Sequence, residues 1–125
     1  MVRVLGVLIF LLDIGLQNYF KERGFGIANQ GVGFGFLPGT GQGIAMLIFL
    51  ILLIYFLISK NRRSYPFFLL VLGGLGNLLP RMVWGSVWDY IYIQILPFWF
   101  NLSDVLITAG VASYILRIDA NRDTV

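Results

Sequence analysis

Residues 73–104 read GGLGNLLPRMVWGSVWDYIYIQILPFWFNLSD, and the reading of this stretch decides the fold. It contains an apolar segment, a short aromatic loop and the start of a second apolar segment. Asn77, Arg81, Asp89, Asn101 and Asp104 are set into it, in a chain otherwise poor in polar residues. Two of these five are carboxylates, one on each side of the loop. Whether the two aspartates face each other is the question on which the rest of the sequence bears.

The chain has 125 residues, enough for a single domain. It is 58% hydrophobic and 12% charged, with a mean hydropathy of +0.85. A soluble domain of that size has too little interior to hide so much apolar surface, so an all-α integral membrane protein is the expectation. With no cysteine there is no disulfide, thiolate metal site or thiol nucleophile, and with no histidine the commonest general base and zinc ligand are missing. Hydrolytic chemistry would rest on carboxylates, hydroxyls, Lys or Arg. The net charge of +3 forms no basic stripe with interleaved aromatics, which argues against nucleic acid as a partner.

Four apolar segments emerge, at about 2–20, 44–59, 66–83 and 101–116, and each is near the length needed to cross roughly 30 Å of hydrocarbon. Arg3 and the run from Val4 to Leu12 also fit a signal peptide. Asp13 interrupts that run and no small-residue cleavage site follows, so a retained span is expected. An Asp inside a span costs about 2.5–3.5 kcal/mol on insertion scales and should face protein or water. Residues 21–43 hold eight glycines and a proline, which excludes a helix. The alternation Val32-Gly33-Phe34-Gly35-Phe36 fits a small β-like hairpin on the membrane surface, and equally a flexible loop. No Gly-Lys-Ser/Thr follows, which rules out a phosphate loop. The tail from Arg117 reads as polar and frayed.

Arg3, the Lys60/Arg62/Arg63 cluster, Arg117 and Arg122 fall on one side of this topology, and Lys21, Arg23 and Arg81 on the other. That balance puts both termini in the cytoplasm. The third span then runs outward, and Asn77, Arg81, Asp89, Asn101 and Asp104 gather at the outer membrane boundary. Three of them have a structural explanation. Asn101 fits a helix N-cap, Asp104 the positive end of a helix dipole, and Arg81 a snorkelling side chain. Trp84, Trp88, Tyr90, Tyr92 and Trp99 fit an interfacial aromatic belt. Asp89 is left unexplained. The functional alternative is a pair of aspartates brought to about 3 Å and sharing a proton, one activating water and the other polarising a carbonyl.

The motifs resemble those of the lipoprotein signal peptidases (signal peptidase II), bacterial four-helix membrane aspartic proteases that remove the signal peptide from lipid-modified prolipoproteins. Gly76-Asn77-Leu78-Leu79-x-Arg81 resembles the family's Gly-Asn-Leu-Ile-Asp-Arg. Val87-Trp88-Asp89-Tyr90-Ile91 resembles its Val-Val-Asp-Phe-Ile, and Phe100-Asn101-Leu102-Ser103-Asp104 its Phe-Asn-x-Ala-Asp. Asn29-Gln30-Gly31-Val32-Gly33-Phe34 is similar to the outer-loop Asn-x-Gly-Ala-Ala-Phe, and Asp13 matches the acid of the first-helix motif. The resemblance implies that Asp89 and Asp104 are catalytic. It also implies that Asn29, Asn77, Arg81, Asn101 and Asp13 orient or support them, and that no metal or organic cofactor is needed. The implied setting is a monomer in the bacterial cytoplasmic membrane, with lipid-modified prolipoproteins and membrane lipids as partners.

Three departures stand out. Pro80 replaces the acid beside Arg81 and should kink the helix by removing the bond to the Gly76 carbonyl. Gln17 replaces a Lys four residues after Asp13, and Ser103 replaces an Ala. A catalytically impaired relative that binds precursors or membrane partners without cutting is the alternative, and a purely structural membrane protein the third reading.

Overall fold

The computed structural model describes residues 1–30, 40–59, 64–96 and 98–123. Helices α1 (Val2–Arg23), α2 (Thr40–Ile58), α3 (Tyr65–Trp84) and α4 (Leu102–Asp123) account for most of them. Among the described residues, α1 and α3 are each long and apolar enough to cross a membrane. The outer surface is apolar: Leu8, Leu11 and Leu12 of α1 and Leu50, Ile51 and Ile54 of α2 are at least half exposed. Asp13 and Gln17 of α1, by contrast, are completely buried. Polar inside and apolar outside is the arrangement that lipid as solvent selects.

The α3–α4 pair is the centre of the bundle. Leu69 and Leu72 of α3 and Leu106 of α4 form its buried apolar cluster, with Val7, Ile9 and Phe10 of α1 packed against it. At Gly76 the two helices come so close that a Cβ would overlap the Ser103 hydroxyl. A small residue at the contact is how helices approach closely when the hydrophobic effect does not drive them together.

Four short strands cap one end of the bundle: β1 (Ile27–Asn29), β2 (Val87–Asp89), β3 (Ile91–Tyr92) and β4 (Trp99–Phe100). β1 pairs antiparallel with β2, Ile27 opposite Asp89 and Asn29 opposite Val87. β3 pairs antiparallel with β4, Ile91 opposite Phe100 and Tyr92 opposite Trp99. Gly26, at φ 99°, leads into β1 where a Cβ would strike the Asp89 carbonyl, so only glycine fits there.

The helices are longer than the apolar runs. α1 continues beyond residue 20 through Lys21, Glu22 and Arg23, all good helix formers. α2 starts at Thr40 despite two glycines, and α4 passes Leu116 to reach Asp123. Main-chain bonding within a helix does not stop where hydropathy does. Pro80 does not end α3, which runs on to Trp84. The first outer loop pairs over Ile27–Asn29 with a strand sixty residues away; the Val32–Phe36 alternation and the Lys60–Arg63 cluster lie outside the described residues.

Candidate active site

Asp89 is the last residue of β2, and Asn101 directly follows β4. The β3–β4 hairpin doubles the chain back between them, helped by the Tyr90 N–H donating to the Phe100 carbonyl at 3.1 Å. Asn101 then opens α4. Its Oδ1 accepts the Asp104 N–H at 2.9 Å, and Asp104 Oδ2 accepts the Asn101 N–H at 3.1 Å. This is the reciprocal arrangement of a capping box, built from Asn and Asp. The cap expected at Asn101 therefore exists, and it fixes Asp104 as well.

Asn101 has a second task. Its Nδ2 donates to Asp89 Oδ1 at 2.9 Å and to Asn77 Oδ1 at 3.0 Å. Asn77 in turn donates to Asp104 Oδ1 at 3.0 Å, and Asn29 on β1 donates to Asp89 Oδ2 at 3.0 Å. Arg81, buried one turn beyond Asn77, donates through Nη1 to the Asn77 carbonyl at 2.8 Å. Its charge acts on Asp89 and on Asp104. Asp89, Asp104, Asn29, Asn77, Arg81 and Asn101 thus form one cluster drawn from β1, α3, β2 and the start of α4.

The Asp89 carboxyl is pushed up to about 7. Burial is the main cause and the neighbouring Asp104 charge the next, while the amides of Asn29 and Asn101 and the Arg81 charge pull the other way. A carboxyl poised near neutrality can give or take a proton at physiological pH.

Asp13 lies apart from this cluster, in an adjoining buried hub. It accepts from the Tyr90 hydroxyl at 2.6 Å, the Leu102 N–H at 3.1 Å, Gln17 Nε2 at 2.7 Å and the Ser103 hydroxyl. Three of these donors, Tyr90, Leu102 and Ser103, bind α1 to the residue after Asp89 and to the first turn of α4. Tyr90 does not sit in the interfacial belt that its place among the loop aromatics predicts. It is buried, stacks on Phe20 with centroids 5.2 Å apart, and aims its hydroxyl inward. Burial and the Asp13 charge push its hydroxyl up, so it stays a donor. Trp88 is similarly tied, its indole donating to the Phe25 carbonyl at 2.6 Å. Ser103 is more than a small replacement for Ala, since its hydroxyl reaches Asp13. Tyr90 and Ser103 each sit one residue from an acid, but no local pattern marked them as partners of Asp13.

Beside Asp104 opens an apolar groove of ≈ 460 Å³, lined by Leu96, Phe98, Phe100, Val105, Ala109 and Ala112. Asp104 is itself part of the lining, so the groove can hold an extended apolar group beside a carboxyl.

Comparison with known proteins identifies the family. The family model for signal peptidase (SPase) II matches residues 6–119. A lipoprotein signal peptidase of Caldicellulosiruptor bescii is 40% identical over 89 residues, covering 68% of this chain and 59% of that protein. One of Halothermothrix orenii is 39% identical over 99 residues, covering 74% and 66%. The chain thus spans about three-fifths to two-thirds of the length of these relatives. Its fold is similar to that of a bacterial membrane enzyme solved by the in meso method at 2.3 Å resolution, with a TM-score of 0.74 and 24% identity over 96% of this chain and 90% of the other. With the family model matching residues 6–119, most of its length, the chain belongs to the signal peptidase II family.

Proposed function

We propose that this protein is a membrane-embedded aspartic endopeptidase that cuts the signal peptide from lipid-modified prolipoproteins, with Asp89 and Asp104 as the two acids. The observation that carries this reading is the double attachment of Asn101, which bonds Asp89 through its side-chain amide and Asp104 through its capping bonds. The two carboxyls share a scaffold, and burial together with their mutual charge disfavours ionising both. One carboxylate takes a proton from water as the water oxygen attacks the scissile carbonyl carbon. The protonated partner gives its proton to the carbonyl oxygen. Collapse of the tetrahedral intermediate breaks the C–N bond: the departing nitrogen leaves with the proton first taken from water, and a hydroxyl of the intermediate returns its proton to the ionised partner as the C=O bond re-forms. These steps use no metal or organic cofactor. Asn29, Asn77, Arg81 and Asn101 hold the acids in place, Asp13 supports the elements that carry them, and the apolar groove takes the greasy part of the substrate.

In this reading the chain is a single multi-pass domain of four spans in the bacterial cytoplasmic membrane, with both termini cytoplasmic, and it works as a monomer. A cleavage assay on a diacylated precursor peptide tests the chemistry. Asp89→Asn and Asp104→Asn should each lower turnover by about 10²–10⁴-fold, the usual contribution of general acid–base catalysis. Undiminished cleavage by both variants would refute the assignment. Binding of the precursor by the unaltered chain without any cleavage would instead mark it as a non-catalytic relative.

A further inference from the structure

Pro80 lies inside α3, and a prolyl nitrogen carries no hydrogen. The carbonyl one turn earlier, that of Gly76, is therefore without its donor from the helix, a defect that ordinarily breaks or bends a helix. Here α3 continues for another turn, to Trp84. The missing donor comes from another helix: Gln17 Nε2 on α1 donates to the Gly76 carbonyl at 3.1 Å.

The rest of the Gln17 amide is equally committed. The same nitrogen donates to Asp13 Oδ2 at 2.7 Å, and Oε1 accepts the main-chain N–H of Trp88 at 3.1 Å. A primary amide has two hydrogens and one carbonyl, and here all are used in a side chain that is completely buried. A lysine could donate to both oxygens but could not accept from Trp88. A glutamate could accept but would have no hydrogen for Gly76 or Asp13 when ionised. Among side chains of this length, only an amide satisfies all three partners. Trp88 immediately precedes Asp89 on β2, so what holds Trp88 also fixes the height of Asp89 above α3.

We propose that Gln17 is a positioning residue for Asp89: it replaces the main-chain donor that Pro80 removes, and uses the opened turn of α3 as the anchor for the strand that carries the acid. Gln17 and Pro80 then form a coupled pair, each tolerable because of the other. The link to Asp89 as an acid rests on the proposed protease activity, while the coupling does not.

A double-mutant cycle in detergent separates the two. Thermal midpoints are measured for the unaltered chain, Gln17→Leu, Pro80→Ala and the double variant, together with amide exchange at Trp88 and, on a diacylated precursor peptide, kcat and KM. Pro80→Ala returns an N–H to the Gly76 carbonyl, so the midpoint lost through Gln17→Leu should shrink at least twofold in that background. Trp88 exchange should quicken about tenfold with Gln17→Leu in either background, and kcat should fall about tenfold with KM within twofold, the scale of one unmet buried hydrogen bond. Equal midpoint losses in both backgrounds overturn the coupling. Unchanged Trp88 exchange or unchanged kcat overturns the positioning role. If Gln17→Leu does not fold alone, recovery of the fold in the double variant is the expected rescue, and failure of both overturns the proposal. A chain that cleaves nothing even when unaltered counts against the protease reading, and the midpoints and exchange rates still decide the inference.

Discussion

The side-chain amide of Asn101 donates to Asp89 at 2.9 Å, while the other end of that same amide accepts the main-chain N–H of Asp104 at 2.9 Å. One neutral side chain thus sets the relation between the strand that carries one acid and the helix that carries the other. Asn101→Ala should remove an N-cap worth about 1 kcal/mol and free both acids from their common frame. The expected result is a lower thermal midpoint together with a loss of kcat of about 10²-fold, the scale of a misplaced catalytic group. Asn101→Asp keeps the cap but sets a third carboxyl among the acids, and should recover stability more than activity.

The raised Asp89 carboxyl gives the protein a pH signature. In the unfolded chain it titrates near 3.8, in the folded one near 7. Between those values the folded state holds a proton that the unfolded state has released. Stability therefore falls as pH rises from about 4 to about 7, and Asp89 adds no further slope above that. Thermal midpoints taken from pH 4.5 to 8 should show this decline, and Asp89→Asn should flatten it. Cleavage should fall as pH climbs beyond about 7, where Asp89 no longer holds a proton to donate.

Tyr90→Phe keeps the ring on Phe20 and removes the 2.6 Å bond to Asp13 together with the longer bond from the Leu102 N–H, 3.4 Å. It leaves a buried carboxylate oxygen one donor short, with an expected cost of about 1–3 kcal/mol. The midpoint should drop, with a smaller effect on kcat than Asp89→Asn, because Tyr90 supports the carrier of the acid and not the acid itself. Chemical-denaturation curves beside turnover numbers would show the difference.

The groove beside Asp104 predicts the opposite pattern. Ala112 lines it and is exposed, so Ala112→Leu fills part of the trough without disturbing the bundle. KM for a diacylated precursor peptide should rise about five- to tenfold, as expected when roughly 1 kcal/mol of apolar binding is lost, and kcat should stay near its original value. A matched change in kcat would place the groove outside the path of the substrate.

The sequence was most readable where physics is local. Long apolar runs located the four helices of the described residues, although Lys21–Arg23 and the residues after Leu116 show that hydropathy underestimates a helix whose polar ends still bond internally. Asn101 as a cap and Asp104 three residues on were legible from spacing alone. Partnership across the chain was not. The pairing of Ile27–Asn29 with Val87–Asp89, and the convergence of Tyr90, Leu102 and Ser103 on Asp13, join residues sixty to ninety positions apart, and no periodicity encodes them. Tyr90 looked like an interfacial aromatic because composition reports where a ring can sit, not where its hydroxyl points. Pro80 looked like a plain defect for the same reason, since the donor that answers it is on another helix.

The burial of Asp13 and Gln17 beneath a coat of half-exposed leucines has a consequence for how this molecule tolerates change. In a water-soluble domain the greasy interior is the fragile part and the polar exterior drifts freely. Here the map of vulnerability is turned inside out. Any apolar side chain of similar bulk will do at the lipid-facing positions, because the surrounding medium is as accommodating as leucine itself. The oxygens and hydrogens at the centre have fixed counts, and a change in one atom there must be answered by a change in another.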